Sequence, residues 1–338
     1  MKKCLFVLPR FHTNIAVGIN KLIQDGWVVQ VYVALSIPET EDYSHVKPII
    51  IKDVDTLLRS VSDFSPDISF IRYVENASHY VMKYLLSVKS RVFAYCQFPA
   101  SLNPSNSLLE RYTSGFVDVP RYSPVRGPSH ELSKNSIYFP LPIKISRYSP
   151  PSRKEDPKSI ICVGKLNHSR KNHLALINFL NSMHPPLNYT ITLVGNNASH
   201  NSKGSKEYYS QIKSISSDSE NIRIMEDVPH REMTSIYSMH DYCILPSFNE
   251  LLGSSPLESM GTGCIPFISR ECGSSYEISH KKNGFLFDPH TFSGISSILT
   301  SLSSNDYYLT RFSINSYEYA KKYLNPSTFV SNVSKLLE

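Results

Sequence analysis

Short apolar and β-branched runs alternate with segments of helical hydrophobic spacing along the first half of the chain. Lys3–Leu8, Val28–Val33 and Ile68–Tyr73 have the composition of buried strands. Ile15–Gln24 has helical spacing and ends at Gly26. The alternation predicts a parallel sheet flanked by helices.

The same pattern continues to about residue 96 and then fades. A helix is predicted near His79–Ser87 and a strand at Arg91–Tyr95. The stretch from Gln97 to Arg147 is rich in proline and serine and has little periodicity, so it predicts loops and irregular structure.

A second alternating series follows a proline-rich and charged segment, Phe139–Asp156, which is typical of an interdomain linker. Helices are predicted at Lys171–Met183 and Arg231–Met239, and strands at the segments SIICVG, YTITLVG, NIRIM and DYCILP. Two doubly wound units in series account for this order. The predicted division is 1–145, 146–325 and a last helix at 326–338.

Composition agrees with a globular two-domain protein. The 338 residues are 41% hydrophobic, and no apolar run has the roughly 18 residues needed to cross a bilayer. The apolar stretch at the start is too short for a signal peptide, so a cytoplasmic protein is expected. None of the six cysteines forms a CxxC pair, which favours free buried thiols over a metal site or disulfide framework.

Positive charge is concentrated between residues 79 and 144. Three acidic residues there face eight basic ones: Lys83, Lys89, Arg91, Arg111, Arg121, Arg126, Lys134 and Lys144. Such a cluster is either a solvated surface or a surface for anionic lipid or a phosphate-bearing acceptor. Nucleic acid is not a predicted partner, because no basic motif is interleaved with aromatic residues.

Candidate ligand-binding residues follow the strands of the second unit, where doubly wound sheets bind ligands. Lys165 and Lys171 follow the strand SIICVG on a loop that opens a helix. Two lysines beside free backbone N–H groups can hold a diphosphate. The alternative is a solvent-exposed basic loop.

Two carboxylates, Glu250 and Glu258, follow the strand DYCILP and lie eight positions apart. Between them Gly253 and Ser254 offer backbone N–H groups at the start of a predicted helix, where a phosphate can bind. The structural alternative is a capping box, with Ser255 as the N-cap residue and Glu258 three residues later.

These segments resemble glycosyltransferase family 4, the retaining group 1 glycosyltransferases. NELLGSSPLESMGTG resembles the family's E-x7-E motif, and GKLNHSRKN resembles its phosphate loop, with two basic residues six apart. ITLVG, LPS, CGSSYE and NGFLF also match. The resemblance covers about residues 138 to 300, and the N-terminal half matches only in general layout.

The resemblance implies the α/β GT-B fold, in which two Rossmann-like domains face each other across a cleft. The last helix, after Pro326, would return to the N-terminal, acceptor-binding domain. The C-terminal domain would bind a UDP- or GDP-linked nucleotide diphosphate sugar. No metal or other cofactor is implied.

Individual roles follow from the same resemblance. Glu258 would bind the ribose hydroxyls, and Glu250 would contact the donor sugar and stabilise charge at its anomeric carbon. Lys165 and Lys171 would hold the diphosphate, although Lys165 stands where the family usually has arginine, so bidentate geometry is lost. Two residues would contact phosphate or sugar through backbone N–H groups: Gly253 and Ser254.

Candidates on the acceptor side come from the N-terminal half. His12 and Asn14 follow the first strand, where many relatives have a Gly-Gly turn; Thr13 or Asn14 could instead simply cap the next helix. Arg72 stands where some relatives have histidine, and Gln97 follows the strand that ends at Tyr95. Satisfied buried polar groups are the alternative for these side chains.

The predicted function is retaining sugar transfer to an acceptor hydroxyl on a glycan or lipid-linked molecule. Bacterial surface polysaccharide synthesis (O-antigen, capsule or lipopolysaccharide) on the inner face of the cell membrane fits the composition. A nucleotide-sugar epimerase on the same fold and an inactive scaffold protein are the alternatives. A dinucleotide-dependent dehydrogenase is disfavoured, because neither half has GxGxxG after its first strand.

Overall fold

A computed structural model describes two compact units. One unit comprises Met1–Arg121, Arg126–Ile143 and Leu324–Glu338, and the other comprises Tyr122–Val125 and Lys144–Tyr323. No helix within the described part of the chain is long and apolar enough to span a bilayer. The described residues are 1–11, 13–34, 45–72, 75–96, 113–118, 122–123, 127–128, 136–151, 157–184, 186–196 and 203–338.

The first unit is built on a seven-stranded parallel sheet of order β3-β2-β1-β4-β5-β6-β9. The elements of residues 1–138 are β1 (Lys3–Leu8), α1 (Thr13–Gln24), β2 (Val28–Val33), β3 (Ile49–Ile50), α2 (Val54–Phe64), β4 (Ile68–Ile71), α3 (Glu75–Ser87), β5 (Arg91–Cys96), β6 (Gly115–Asp118), β7 (Tyr122–Ser123), β8 (Gly127–Pro128) and β9 (Ser136–Tyr138). The central strands β1 and β4 are buried, as expected where both faces of a parallel sheet are covered.

The second unit has a six-stranded parallel sheet of order β12-β11-β10-β13-β14-β15. Its elements are β10 (Lys158–Val163), a 3₁₀ turn (Ser169–Lys171), α4 (His173–Asn181), β11 (Tyr189–Gly195), α5 (Lys203–Ser217), β12 (Ile222–Glu226), α6 (His230–Tyr237), β13 (Tyr242–Leu245), α7 (Ser255–Met260), β14 (Ile265–Ser269), a second 3₁₀ turn (Gly273–Glu277), β15 (Phe285–Phe287), α8 (Ile295–Ser303) and α9 (Asp306–Tyr319).

The end of the chain belongs to the first unit. After a π-helical turn (Ala320–Leu324), helix α10 (Pro326–Lys335) packs against α1. The Phe329 ring lies so close to Gly18 that a Cβ there would be 2.7 Å from it. Beyond α10, the Arg91 guanidinium donates to the Leu336 carbonyl at 2.5 Å and to the Glu338 carbonyl at 3.2 Å.

The structure corrects two sequence predictions. Residues 97–147 are not wholly irregular, because β6 pairs with β5 and β9 pairs with β6. Strands of three or four residues are too short to show an alternating pattern. The helix predicted from Lys171 begins at His173 instead, because Asn172 takes a left-handed conformation with φ 60° between the 3₁₀ turn and α4.

Buried thiols match the prediction of a reduced core. The five cysteines whose side chains the structure describes are free and buried: Cys4, Cys162, Cys243, Cys264 and Cys272. Burial raises the pKa of the Cys162 thiol to about 12, although Lys171 lowers it in part. These thiols are therefore uncharged packing groups at neutral pH.

Gly195 allows the first two strands of the second sheet to meet at their carboxyl ends. A Cβ at Gly195 would lie 1.8 Å from the Gly164 carbonyl oxygen, a backbone atom that cannot move alone. We expect Gly195→Ala to lower the free energy of unfolding by about 1–3 kcal/mol or more. Gly204→Ala, in α5 with no atom within 4 Å of the added Cβ, is the matched control and should not destabilise. Denaturant unfolding of both variants measures the difference, and equal stability would contradict the close contact.

Candidate functional site

The strand order of the second sheet reverses at its centre. β10, the first strand along the chain, lies between β11 and β13, so the chain leaves β10 on one side and returns to its other side at β13. Ligands of doubly wound sheets bind beyond the carboxyl ends of the strands at such a switch point. The loops that follow β10 and β13 therefore form the candidate ligand site.

The loop after β10 contains Lys165 and ends in two consecutive basic residues, Arg170 and Lys171. Lys165 follows Gly164 and is half-buried, and the 3₁₀ turn then closes with the Lys171 amide donating to the His168 carbonyl at 2.8 Å. The Lys171 stem lies over Gly164, where a Cβ would be 2.9 Å from the lysine Cδ. Asn172 anchors the end of the loop by donating to the Pro289 carbonyl at 2.9 Å.

The loop after β13 is held by main-chain contacts to the segment that follows β14. The Glu250 amide donates to the Glu271 carbonyl, and the Gly273 amide donates to the Glu250 carbonyl, each at 2.9 Å. The Glu271 carboxylate accepts the amide of Asn249, which is left-handed with φ 50°, at 3.1 Å and lies 2.8 Å from His290 Nε2. These contacts fix the backbone of Glu250 independently of its side chain.

The two loops meet in a three-residue ion cluster. Lys171 Nζ lies 2.5 Å and Arg170 Nη1 lies 2.8 Å from the same oxygen, Oε2 of Glu250. Arg170 also donates to the Asn249 carbonyl at 3.1 Å. Only 13% of the Lys171 side chain and 12% of the Glu250 side chain are exposed, so solvent screens this cluster weakly.

The protonation state of Glu250 follows from these contacts. Burial raises the pKa of the Glu250 carboxyl, but the charges and hydrogen bonds of Lys171 and Arg170 lower it by more, and the net pKa lies below its ordinary value. Beside the cluster, burial and the Lys171 charge lower the pKa of His173 to about 3. At neutral pH the site therefore contains an ionised carboxylate, two cations and a neutral imidazole.

The second carboxylate, Glu258, lies on α7 and contacts side chains of α6. The Tyr237 hydroxyl donates to Glu258 Oε2 at 3.2 Å, and His230 Nε2 lies 3.5 Å from the same oxygen. Burial raises the pKa of Glu258, but hydrogen bonds from His230, Ser254 and Tyr237 and the charge of His230 bring it below the ordinary value. Glu258 is therefore also an ionised, mostly enclosed acceptor.

The capping-box alternative for Glu258 is wrong. The N-cap of α7 is Ser254, without a side-chain cap bond, and Ser255 is already the first helical residue. The Ser255 hydroxyl donates instead to the Val163 carbonyl at 3.4 Å. Since Ser255 is inside the helix, it cannot cap it.

The remaining predicted residues are placed as follows. Gly253, with φ 72°, directly precedes the N-cap residue Ser254. Arg72 is half-buried in the first unit directly after β4, and its amide donates to the Val7 carbonyl. The prediction for Asn14 concerns a side chain outside the described residues, and two others fall wholly outside them: His12 and Gln97.

Several contact residues of the site were not singled out by the sequence. Arg170 is the neighbour of Lys171, but the six-residue spacing of the family's two basic residues selects Lys165 and Lys171. His230 and Tyr237 are seven apart on one helix and carry no motif of their own. Within the described ranges, no three or more His, Cys, Asp or Glu residues form a group that could hold a metal ion.

Comparison with known families identifies related sequences. The model of the family described as glycosyl transferases group 1 matches residues 146–319, just over half of the chain. A D-inositol 3-phosphate glycosyltransferase of Corynebacterium glutamicum is 22% identical over 209 residues, which are 61% of this chain and 46% of that protein. The chain thus spans less than half the length of this relative.

Solved structures with the same fold cover the whole chain. The Anabaena protein HepE, in complex with UDP and glucose, has a TM-score of 0.72 at 15% identity and covers 100% of this chain and 99% of its own. A lipopolysaccharide outer core galactosyltransferase, WaaB, has a TM-score of 0.67 at 13% identity, with 99% of each chain covered. The α/β GT-B fold is confirmed.

Ionisation of Glu250 should make stability depend on pH in a defined window. A carboxyl whose pKa is lower in the folded than in the unfolded state contributes stability above the unfolded pKa, near 4.5, and loses it as the pH falls through the folded pKa. We expect Glu250→Gln to have a lower melting temperature than the unchanged protein at pH 7. The difference should shrink below about pH 4.5, because the glutamine does not titrate. A difference in melting temperature between the two proteins that stays constant from pH 7 to pH 3 would contradict the ion cluster.

Proposed function

This chain belongs to the group 1 glycosyl transferases, and we propose that it moves a sugar from a nucleotide diphosphate sugar to an acceptor hydroxyl with retention of anomeric configuration. The observation that carries this proposal is the ion cluster at the switch point of the second sheet. It holds two cations and a carboxylate beyond strand β10, where the ligands of doubly wound sheets bind.

The proposed chemistry is electrostatic. As the glycosidic bond breaks, negative charge grows on the departing diphosphate, and preorganised cations stabilise that charge more in the transition state than in the ground state. Lys165 and Lys171 would supply this stabilisation without a metal ion or other cofactor. Glu250 would contact the donor sugar and stabilise positive charge at its anomeric carbon.

The nucleotide would be held by the second carboxylate. Glu258 is ionised and oriented by Tyr237 and His230, so it is a prepared acceptor for the paired hydroxyls of ribose. Backbone N–H groups of Gly253 and Ser254 would contact phosphate or sugar. A UDP-linked donor is the first to test, since HepE was solved with UDP and glucose; a GDP-linked donor is the second.

The acceptor would bind to the N-terminal part of the chain. Residues 1–145 would bind a glycan or lipid-linked acceptor, with His12, Asn14, Arg72 and Gln97 as the polar candidates, and residues 146–325 would bind the donor. A place in bacterial surface polysaccharide synthesis is supported by the fold shared with a lipopolysaccharide galactosyltransferase.

Contact with an anionic membrane surface is part of the same proposal. Lys83 and Lys89 of the first unit are exposed and available to such a surface, whereas Arg91 donates to the carbonyls of Leu336 and Glu338. Lys144 is exposed in the second unit. The other basic residues of the 79–144 cluster lie outside the described residues.

Thermal denaturation with nucleotides tests the donor site. A nucleoside diphosphate at 100 times its dissociation constant should add about 2.7 kcal/mol to the stability of the folded protein and raise its melting temperature. In Glu258→Gln the stabilisation by UDP should fall, because a neutral amide is a weaker acceptor for ribose hydroxyls. Stabilisation by inorganic pyrophosphate, which has no ribose, is the internal control and should be unchanged. An equal response of both proteins to UDP would remove Glu258 from the nucleotide site.

The kinetics of a Lys171 variant distinguish a working transferase from a protein that only binds nucleotides. We expect Lys171→Ala to lower kcat by about 100-fold or more, with a smaller change in the donor KM, because its charge acts mainly on the transition state. The assay uses the cognate donor and acceptor without added divalent metal. Lys213→Ala removes an exposed lysine that forms an ion pair with Glu226 in the same unit and should leave kcat unchanged.

The product of this assay decides between the reaction classes. NMR of the transferred sugar should show the anomeric configuration of the donor, and an inverted product would overturn the retaining mechanism. An altered nucleotide sugar formed without acceptor would indicate an epimerase. Binding of nucleotide without any turnover, across a panel of donors and acceptors, would indicate a scaffold protein.

A further inference from the structure

Both cations of the ion cluster are directed at one atom. Arg170 Nη1 and Lys171 Nζ reach the same Oε2 oxygen of Glu250 at 2.8 and 2.5 Å, from adjacent positions in the chain. An oxygen that accepts from a guanidinium and an ammonium at these distances stands in the position that a phosphate oxygen takes in an anion site. The cluster is therefore an anion site whose anion is a side chain.

The loop positions of both cations are fixed by the backbone. The Phe248 amide donates to the Arg170 carbonyl at 3.1 Å, and the Lys171 amide closes the 3₁₀ turn. Glu250 is likewise held by its main chain. The main chain holds all three residues, so the ion pairs can exchange partners by side-chain rotation alone.

A second anion brought to these cations would meet Glu250. Two negative groups around one cation pair repel each other strongly where little solvent screens them, and the exposed fractions of Glu250 and Lys171 are small. The arrangement of lower free energy is the one in which Arg170 and Lys171 pair with the more highly charged of the two anions. A diphosphate carries more charge than a carboxylate.

We propose that Glu250 and a phosphate of the donor compete for Arg170 and Lys171, so that donor binding transfers these two cations from the carboxylate to the diphosphate. Arg170 is thereby a third diphosphate-binding residue beside Lys165 and Lys171. The displaced carboxylate becomes the acceptor for hydroxyls of the donor sugar. This inference rests on the proposed function. Glu250 would weaken binding of the donor's diphosphate and strengthen binding of its sugar.

Calorimetry with inorganic pyrophosphate tests the competition, because this probe contains phosphate and lacks both sugar and ribose. Glu250→Gln should bind pyrophosphate about tenfold more tightly than the unchanged protein, and Arg170→Gln should bind it about tenfold more weakly. Glu318→Gln removes an exposed carboxylate that lies 3.9 Å from Lys321 in the same unit. It controls for the loss of one negative charge and should bind as the unchanged protein does.

The fold of the variants is checked by melting, and Glu250→Ala is a second variant with the same expected direction. The backbone contacts of residue 250 do not use its side chain, so both variants keep the anchor of the loop. Pyrophosphate affinity that is equal or weaker in both Glu250 variants would overturn the competition, and it would leave the proposed function in place if UDP still stabilises the protein.

Two further outcomes are decisive. Unchanged affinity in Arg170→Gln would remove Arg170 from the phosphate site and overturn the inference. Absence of pyrophosphate and UDP binding in every variant would overturn the inference together with the proposed function, because no phosphate site would then exist.

Discussion

One carboxylate oxygen shared by two cations is the interaction on which the candidate site depends. Glu250 Oε2 joins the loop after β10 to the loop after β13, and each loop is in turn held by the main chain of its neighbours. A mostly buried carboxylate is tolerable only beside cations, since desolvation of an unpaired charge is costly. The fold therefore has to deliver the arginine, the lysine and the glutamate to one point together.

Strand order explains how residues eighty positions apart reach that point. β10 and β13 are neighbours in the centre of the sheet and run parallel, so the loops that follow them start at the same edge of the sheet. Close approach of the loops then depends on small residues: Gly164 leaves room for the Lys171 stem, and Gly195 for the Gly164 carbonyl. The contact between the two loops thus depends on close backbone packing at Gly164 and Gly195.

The long-range architecture could be predicted from the sequence, whereas the side chains that contact Glu250 and Glu258 could not. Apolar runs such as Lys3–Leu8 are local patterns, and the two sheets follow from them. The GT-B fold came from the resemblance of the motifs around Glu250 and Glu258 to a known family. The short strands β6 and β9 have too few residues to show a period. Arg170, His230 and Tyr237 owe their positions to tertiary packing, and no spacing along the chain encodes which oxygen a side chain on another element will meet.

Glu250 combines two demands that oppose each other. Paired with both cations, the Glu250 carboxyl has a lowered pKa and stabilises the folded protein at neutral pH. In the proposed competition, the same pairing would withhold Arg170 and Lys171 from a diphosphate, so stability would be gained at the expense of affinity for phosphate. On this proposal, a residue that served phosphate binding alone would not be a glutamate in this position. A carboxylate is suited to it because it can exchange one set of partners, cationic side chains, for another, the hydroxyls of a sugar, and remain hydrogen-bonded in both.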